Sequence, residues 1–592
     1  MNTQATPQGR RIGPLGFFGW SIVIGVVGAL GAVIFRGLIA CFHNLLFLGQ
    51  FAVTYDANVH TPPSPWGPLV VLVPVLGAVG VAFLVSHFAA EAKGHGVPEV
   101  MDAIYYNRGV IRPIVAVIKS LASALSIGSG GSIGREGPII QIGASFGSTL
   151  GALLRLPAWE RITLIAAGAG AGIAATFNTP IGGVLFAVEI MLHEVSARTL
   201  IPVTIATVTA SYVGRLIFGD HPSFVIPPLA TSTARATDVL VLCFYPALGV
   251  LTGLLSFAYI RSIYAFEDFF EKRVPGNYYL RHMLGMFIVG LVIYALLLST
   301  GHYYVQGIGY ATIQDVLSGK LSWFLLVLGA LKLLTTSLTL GSGASGGVFS
   351  PALYMGATLG GAYGLIISRI FPGLPVDPVA FAVAGMAGVV GGSTGAALAA
   401  VVMIFEMTLD YTVIIPMTIT VALSYGVRKL LLRESIYTLK LARRGHDVPD
   451  ALQANFYHLK KTRDVMDTHF IALPGSGTLD DFVRTAIQQP DVSCFLVNGP
   501  QGLIGFLTRE SALRPPDADH TLTLADLADR SFVMVKGGTP LLEVMARMQR
   551  ARVSVALVAN DDGKSSESGI QGLVTRQQIA SAVIDGMDLF FG

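Results

Sequence analysis

The stretch that decides the fold is Gly128-Ser-Gly-Gly-Ser-Ile-Gly-Arg-Glu-Gly-Pro138, which lies in an apolar region and recurs later in the chain. At an offset of 213 residues it aligns with Gly341-Ser-Gly-Ala-Ser-Gly-Gly-Val-Phe-Ser-Pro351, and nine of twenty positions from the first glycine onward are identical. A second match, at an offset of 217, aligns the apolar run ending at Glu189 with the run ending at Glu406. Two matches in nearly the same register predict a duplicated domain.

The region that contains the repeat is too apolar for a soluble domain. Hydrophobic residues make up 53% of the 592-residue chain and charged residues 13%, whereas soluble domains carry about 25% charged residues. Runs of about 20 apolar residues, long enough to span a bilayer, begin with Pro14–Leu48 and continue to about Leu432. The sequence predicts a mostly α-helical, polytopic membrane protein, built from two duplicated halves at about 15–217 and 238–433.

Charge at the two ends of the membrane region indicates its orientation. Arg10 and Arg11 precede the first span. The positive residues that follow the last span are Arg428, Lys429, Arg433, Lys440, Arg443 and Arg444. The positive-inside rule therefore predicts that both termini are cytoplasmic. The three cysteines fit no metal or disulfide spacing and are predicted to be buried apolar side chains: they are Cys41, Cys243 and Cys494.

Beyond about residue 440 the composition becomes that of a soluble protein, and this tail has a repeat of its own. At an offset of 67, Gly505-Phe-Leu-Thr-Arg509 matches Gly572-Leu-Val-Thr-Arg576. Each follows a strand-like run and precedes a helix-compatible stretch, which predicts two small α/β modules. The predicted boundaries are 1–440 for the membrane domain, 441–461 for a linker, and 462–515 and 522–588 for the two modules.

Three membrane segments share the layout Gly-x-x-x-Pro: Gly94-His-Gly-Val-Pro98, Gly134-Arg-Glu-Gly-Pro138 and Gly347-Val-Phe-Ser-Pro351. Proline is favoured in the first turn of a helix, and a helix N-terminus carries unpaired N–H groups and about half a positive charge. Such an end binds an anion without a cationic side chain. Irregular backbone at membrane depth is tolerated only where it is buried or lines a cavity. The segments predict broken helices that converge on one anion site; ordinary helix breaks are the alternative.

With these motifs, and with Ser435-Ile-Tyr437 near the end of the membrane region, the sequence resembles the CLC family of chloride channels and chloride/proton antiporters. The tail resembles a pair of cystathionine-β-synthase-type (CBS) domains. The resemblance implies a transporter and not an enzyme. It further implies that the two halves form an inverted repeat, and that the protein is a homodimer with one gated chloride pore in each subunit, located in the inner (plasma) membrane. The compact chain is typical of a bacterial member.

The resemblance also implies roles for individual residues. Glu136 would be the external gate, whose carboxylate competes with the anion and leaves when it is protonated; an ionisable residue inside a membrane domain is functional by default. The alternative is an ion pair with Arg135 that only fixes the loop. The implied chloride ligands, through backbone N–H groups or side chains, are His95, Gly137, Val348, Phe349 and Tyr437. The implied supporting residues are Arg135, Gly134, Pro138 and Gly96.

Two positions depart from the family's pattern. His95 stands where the family usually has serine, so anion affinity and selectivity stay open, although a neutral imidazole still donates one N–H. Glu189 is followed by Ile190, where many antiporters of the family have a second carboxylate for internal proton transfer. An apolar residue there is typical of passive channels and leaves proton coupling open. Glu189 and Glu406 are interpreted as mainly structural.

Two further motifs bear on other possible functions. Paired CBS modules often bind adenine nucleotides through an aspartate three residues after the motif threonine, but Ser511 and Gln578 occupy these positions. This argues against a nucleotide and leaves dimerisation or gating as the tail's role. Gly343-Ala-Ser-Gly346 fits an intramembrane serine protease motif, yet its serine recurs as Ser132 in the other half, as a structural repeat predicts. The predicted partners are chloride, protons and the lipid bilayer, with no cofactor, metal or nucleic acid.

Overall fold

The computed structural model describes residues 13–192, 195–219, 224, 239–446, 448, 460–500, 502–509, 522–559 and 570–582. The chain divides into two units, Met1–Gln453 and Ala454–Gly592. Residues 447 and 449–459 of the predicted linker lie outside the described residues, as do 501, 510–515, 560–569 and 583–588 of the predicted modules.

The first unit is a bundle of helices. They are α1 Pro14–Leu48, α2 Val73–His87, α3 Val97–Tyr105, α4 Ile114–Gly128, α5 Glu136–Leu153, α6 Ala158–Phe177, α7 Pro180–Phe186, α8 Ala197–Phe218, α9 Val239–Leu242, α10 Tyr245–Lys272, α11 Tyr278–Thr300, α12 Tyr310–Leu317, α13 Phe324–Ser342, α14 Phe349–Ile370, α15 Pro378–Thr394, α16 Ala397–Thr408, α17 Ile414–Leu431 and α18 Thr438–Arg443. Short 3-10 turns lie at Gly67–Leu72, Ala90–Ala92 and Tyr411–Val413, and a π-helical segment at Ala187–Leu192 extends α7.

Within the described residues, seven helical stretches are long and apolar enough to cross a membrane. They are Pro14–Leu48, Gly67–His87, Ala197–Phe218, Val239–Lys272, Tyr278–Thr300, Phe324–Ser342 and Tyr411–Leu431. Several other helices are apolar but shorter, among them α4, α15 and α16. The prediction of a polytopic helical protein with broken helices is confirmed.

The predicted duplication is visible in contacts that the two halves exchange. The N–H of Gly134 donates to the carbonyl of Gly347 at 2.8 Å, and the N–H of Gly347 donates to the carbonyl of Gly134 at 2.6 Å. These glycines are 213 positions apart, and such a mutual exchange is what a twofold relation between the halves produces.

Each half also contains the same close helix contact through glycine. In the first half, a Cβ on Gly143 of α5 would lie 2.1 Å from the carbonyl oxygen of Gly168 on α6. In the second, a Cβ on Gly356 of α14 would lie 2.3 Å from the carbonyl oxygen of Gly385 on α15. Small residues at these crossings let the backbones touch, which is a common way of packing helices in membranes.

The second unit contains two small sheets of identical topology. Strands β1 Phe470–Pro474, β2 Cys494–Gly499 and β3 Gly502–Thr508 form the first, and β4 Phe532–Lys536, β5 Val555–Ala559 and β6 Ile570–Thr575 the second. In each sheet the first pair is parallel and the second antiparallel. The accompanying helices are α19 Thr462–Val465, α20 Leu479–Gln488, α21 Leu524–Leu527 and α22 Leu541–Ala551. The prediction of a paired α/β tail is confirmed.

The cysteines differ in their surroundings. Cys494 lies in the core between the two sheets, and burial raises the pKa of its thiol to about 12. Cys243 is exposed and Cys41 is half-buried. The interpretation of all three as buried is therefore wrong for Cys41, which lies on α1, and for Cys243, which lies in the turn between α9 and α10. Both belong to the apolar bundle, where a small side chain is compatible with exposure.

Candidate functional site

The three Gly-x-x-x-Pro segments meet in the middle of the bundle. Besides the exchange between Gly134 and Gly347, the N–H of Gly94 donates to the carbonyl of Ala344 at 2.9 Å, and the N–H of Gly346 donates to that of Gly94 at 3.2 Å. From these joined loops α3, α5 and α14 begin, each with its proline in the first turn. The structure thus brings together the three helix N-termini that the sequence singled out.

Glycine is required where these loops touch. Gly96, which precedes α3, has a φ of 84°, in the left-handed region. A Cβ on Gly137 would lie 2.1 Å from the carbonyl oxygen of His95 and 3.2 Å from the Cα of Gly347. No side chain fits between these backbones, so the glycines are what allows the helix ends to approach one another.

The carboxylate of Glu136 lies on the N-terminus of α14. The side chain is 1% exposed, and its Oε2 accepts from the N–H of Ser350 at 3.2 Å. Its Oε1 accepts from the hydroxyl of Tyr310 at 3.0 Å and also from the hydroxyl of Ser350. A carboxylate with this set of donors stands in for an anion, because it is held by a backbone N–H and two hydroxyls at a helix N-terminus.

Arg135 does not neutralise this carboxylate. In the described part of the chain the two residues form no ion pair; the Arg135 guanidinium lies over the rings of Tyr310 and Phe177, at 5.1 and 5.7 Å from their centroids. This geometry does not support the alternative in which the pair only fixes the loop.

Further donors lie at the start of α14. The N–H groups of Val348 and Phe349 have no acceptor among the described residues, and both residues are buried. The carbonyl of Val348 accepts from the hydroxyl of Tyr259 at 3.0 Å, which fixes the orientation of this peptide. Two unpaired N–H groups inside a membrane protein are costly unless a ligand uses them.

His95 contributes an unpaired nitrogen to the same region. Its side chain is buried, and its Nδ1 has no hydrogen-bond partner among the described residues. Its Nε2 lies 3.5 Å from the hydroxyl of Tyr264, which itself donates to the carbonyl of Ile436 at 2.8 Å. The ring of Tyr437 lies 6.0 Å from that of His95. His95 and Tyr437 are thus neighbours, as the resemblance implies.

Two basic cavities approach the site. The Arg36 cavity, of about 290 Å³, is lined by Arg36, Arg135, Arg215 and Tyr310 among others. The Arg428 cavity, of about 280 Å³, is lined by Arg428, Lys429, Arg433 and Tyr437 among others. Since Tyr310 contacts Glu136 from one cavity and Tyr437 lines the other, the helix N-termini lie between two funnels of positive charge, which attract anions.

Ile190 and Glu189 both line the Arg428 cavity. Position 190, where many antiporters of the resembled family carry a proton-transfer carboxylate, thus presents an apolar side chain to this cavity. Glu189 accepts from the N–H groups of Leu398 and Ala399, at 3.1 and 2.7 Å. It caps the N-terminus of α16 from the opposite half.

Glu406 makes the matching contact in the other direction. Its oxygens accept from the N–H groups of Ile181 and Gly182, at 3.1 and 2.7 Å, and so cap the N-terminus of α7. Each half thus supplies a carboxylate that satisfies the first turn of a broken helix in the other half. This geometry supports the structural interpretation of both glutamates.

Replacing Glu406 with glutamine is expected to destabilise the bundle and to leave the pH dependence of transport unchanged. The amide offers one acceptor where two N–H groups need one each, and a charge-assisted hydrogen bond contributes about 1.5–3 kcal/mol. Thermal unfolding followed by size-exclusion chromatography measures the loss, with Glu271→Gln, at an exposed position, as the control. Equal unfolding temperatures for the two variants would contradict a capping role.

Four residues of the site were missed by sequence reasoning. Lys119 and Lys332 are fully buried, and each ammonium donates to two backbone carbonyls of the loops around the site. Their spacing of 213 residues is the repeat offset, a signal that could have found them. Ser350 lies inside the motif Gly347-Val-Phe-Ser-Pro351, in which the resemblance implies roles for Val348 and Phe349 only. Tyr310 follows Gly307-Ile-Gly309, which matches Gly94-His-Gly96 of the first motif at the same offset, so the repeat could have placed it beside the site.

In the tail, Gln578 forms hydrogen bonds with neighbouring protein groups. Its Oε1 accepts from the N–H of Thr575 at 3.1 Å and from the hydroxyl of the same residue, and its Nε2 lies 3.5 Å from Asp467. Ser511, the other position considered for a nucleotide, lies outside the described residues. Within the described residues, no cluster of three His, Cys, Asp or Glu side chains could hold a metal ion.

Comparison with known proteins identifies both units. Residues 76–429 match the family model described as voltage gated chloride channel, and residues 524–585 match the CBS domain. A chloride channel protein described as ClcB-like from Ralstonia nicotianae is 32% identical over 432 residues, which cover 72% of this chain and 96% of the relative. The H(+)/Cl(-) exchange transporter ClcA of Yersinia pseudotuberculosis is 32% identical over 426 residues, covering 71% of this chain and 86% of the relative.

Solved structures show the same fold. A slow cyanobacterial Cl-/H+ antiporter superposes with a TM-score of 0.62 at 24% identity, covering 73% of this chain and 99% of that one. A eukaryotic CLC transporter superposes with a TM-score of 0.61 at 20% identity, covering 95% and 98%. Members of this family are transport proteins, which excludes the protease alternative. The converging helix ends, the duplicated halves and the 32% identical relatives together show that this chain is a multi-pass membrane protein of the voltage gated chloride channel (CLC) family, with a CBS-type tail.

Proposed function

We propose that this chain transports chloride across the membrane through the site between its two cavities, with Glu136 as the gate. The observation that carries the proposal is the position of the Glu136 carboxylate on the N–H of Ser350 at 3.2 Å. A negative group at that place occupies the position at the N-terminus of α14 that a permeating anion would need, hereafter the anion seat.

The gate works by competition. While Glu136 is ionised, it satisfies the N-terminus of α14 and blocks the path from the Arg36 cavity. Protonation removes the charge, so the side chain loses its electrostatic advantage over chloride and moves aside. Chloride then accepts from the N–H groups of Ser350, Phe349 and Val348.

Toward the Arg428 cavity, the next donors for chloride are the hydroxyl of Tyr437 and an N–H of His95. His95 replaces the usual serine with a larger group whose Nδ1 is otherwise unpaired. Gly137 contributes by its lack of a side chain and by its N–H in the first turn of α5. Arg135, Gly134, Pro138 and Gly96 support this arrangement by shaping the loops.

Two modes of transport are in question, and different observations favour them. The relative from Yersinia pseudotuberculosis is an H(+)/Cl(-) exchange transporter, which favours proton-coupled exchange. Ile190, which lines the Arg428 cavity, cannot carry a proton, which favours passive conduction. For exchange to occur with Ile190 present, protons must reach Glu136 through water in that cavity.

The reversal potential of the purified, full-length protein in liposomes distinguishes the two. A passive conductor reverses at the chloride equilibrium potential, about 59 mV for a tenfold gradient, whatever the pH gradient. An exchanger is displaced from this value when an opposing pH gradient is applied. Absence of chloride flux under every condition would refute the proposed function itself.

The proposal also includes an orientation in the membrane and an oligomeric state. With both termini in the cytoplasm, as the flanking arginines and lysines predict, the Arg428 cavity opens inward and the Arg36 cavity outward, in the inner membrane of a bacterium. A homodimer with one pathway in each subunit is implied by the family.

A further inference from the structure

Two hydroxyl groups, one of them in the first turn of α14, hold the gate carboxylate in place. The hydroxyls of Tyr310 and Ser350 both donate to Oε1 of Glu136, and their oxygens lie 3.2 Å from each other. All three side chains are buried. Tyr310 begins α12 and Ser350 lies in the first turn of α14, so the carboxylate ties two separate helices together.

Tyr310 is held rigidly in this position. The ammonium of Lys332 donates to the carbonyls of Val305 and Gly307, at 3.1 and 2.9 Å, in the loop that leads into α12. The ring of Tyr310 packs edge-on against Phe224, with centroids 5.0 Å apart, and under the guanidinium of Arg135. A donor fixed in this way loses little conformational entropy when it binds its acceptor.

We propose that Tyr310 and Ser350 form a hydroxyl clamp that keeps Glu136 in the anion seat and sets how acidic the medium must be before the gate opens. The proposal rests on the proposed function, in which Glu136 is the gate. Hydrogen bonds donated to a carboxylate favour its ionised form and are stronger than bonds between neutral groups. The clamp therefore holds the ionised side chain in the anion seat, which makes Tyr310 and Ser350 positioning residues.

The other charged or titratable groups near Glu136 are Arg135 on its own segment, Lys332 on α13, Tyr259 on α10, and Tyr437. None of these donates a hydrogen bond to the carboxylate, so the clamp is the contact that a conservative substitution can remove cleanly.

The test is the pH dependence of chloride flux in liposomes for Tyr310→Phe and Ser350→Ala. Each substitution deletes one hydroxyl and keeps the surrounding packing. Since a charge-assisted hydrogen bond changes an equilibrium by about tenfold or more, each variant is expected to move the midpoint of the curve upward by about one pH unit, and flux at neutral pH should rise several-fold.

Matched controls remove buried hydroxyls that have no partner among the described residues. Tyr245→Phe and Ser337→Ala meet this condition and are expected to leave the curve unchanged. A shift in the clamp variants that disappears when Glu136 is also replaced by alanine establishes that the hydroxyls act through the carboxylate.

Two results overturn the inference, and they differ from each other. If Glu136→Gln loses its pH response but the Tyr310→Phe and Ser350→Ala curves superpose on that of the unmutated protein, the clamp is wrong and the gate stands. If Glu136→Gln itself behaves like the unmutated protein, the gate assignment fails and the clamp fails with it.

Discussion

Replacing Glu136 with glutamine is expected to leave chloride flux in place and to abolish its dependence on pH. Glutamine has the size of glutamate but no charge, so it cannot compete with chloride for the N-terminus of α14. In the unmutated protein the protonated fraction of a carboxyl falls about tenfold for each pH unit on the alkaline side of its titration, and flux should follow it. In the variant the same pH range is expected to change flux by less than about twofold.

Chloride efflux from liposomes, measured with a chloride electrode over a series of pH values, tests this prediction. Glu271→Gln serves as the control, because the Glu271 carboxylate is half exposed and forms a surface ion pair with Lys93 at 3.8 Å. If the protein exchanges protons, the Glu136 variant should also stop moving them. A pH response equal to that of the control would show that Glu136 is not the gate.

Replacing Gly137 with alanine is expected to remove transport altogether. The added Cβ would lie 2.1 Å from the carbonyl oxygen of His95 and 3.2 Å from the Cα of Gly347. Overpacking costs about 1–3 kcal/mol where neighbouring side chains can shift, but here the obstacle is backbone on both sides. We expect little monodisperse protein and no flux above that of empty liposomes.

Gly426→Ala is the matched control for this substitution. Gly426 lies within α17, and a Cβ there meets nothing within 4 Å. Alanine is favoured over glycine inside a helix by about 0.5–1 kcal/mol, so this variant should be as stable as the unmutated protein or more so. Equal flux and equal unfolding temperatures for the two alanine variants would contradict the close contact of the helix ends.

Local pattern predicts the backbone of the site well. The Gly-x-x-x-Pro layout indicates where helices start, because glycine and proline restrict or permit backbone conformations within a single turn. The repeat offset then relates the two central loops, and the structure shows Gly134 and Gly347 exchanging hydrogen bonds. Features that depend on residues adjacent in the sequence could therefore be predicted from it.

Contacts between helices that are far apart in the sequence are harder to predict from it. Tyr310 and Ser350 meet at Glu136 although they lie 174 and 214 positions from it, and the repeat alone does not show that their hydroxyls contact its carboxylate. The capping role of Glu189 and Glu406 likewise depends on helix starts in the opposite half. The repeat showed that the two glutamates correspond, but only packing shows what each carboxylate contacts.

The location of a bound anion is the most direct test of the account. Crystals of the Glu136→Ala protein soaked in bromide should show an anomalous peak in contact with the N–H of Ser350, at the place left by the carboxylate. The unmutated protein should show no peak there, because the gate occupies the position. Bromide found only elsewhere in the variant, away from the ends of α5 and α14, would contradict the claim that these helix N-termini bind the transported ion.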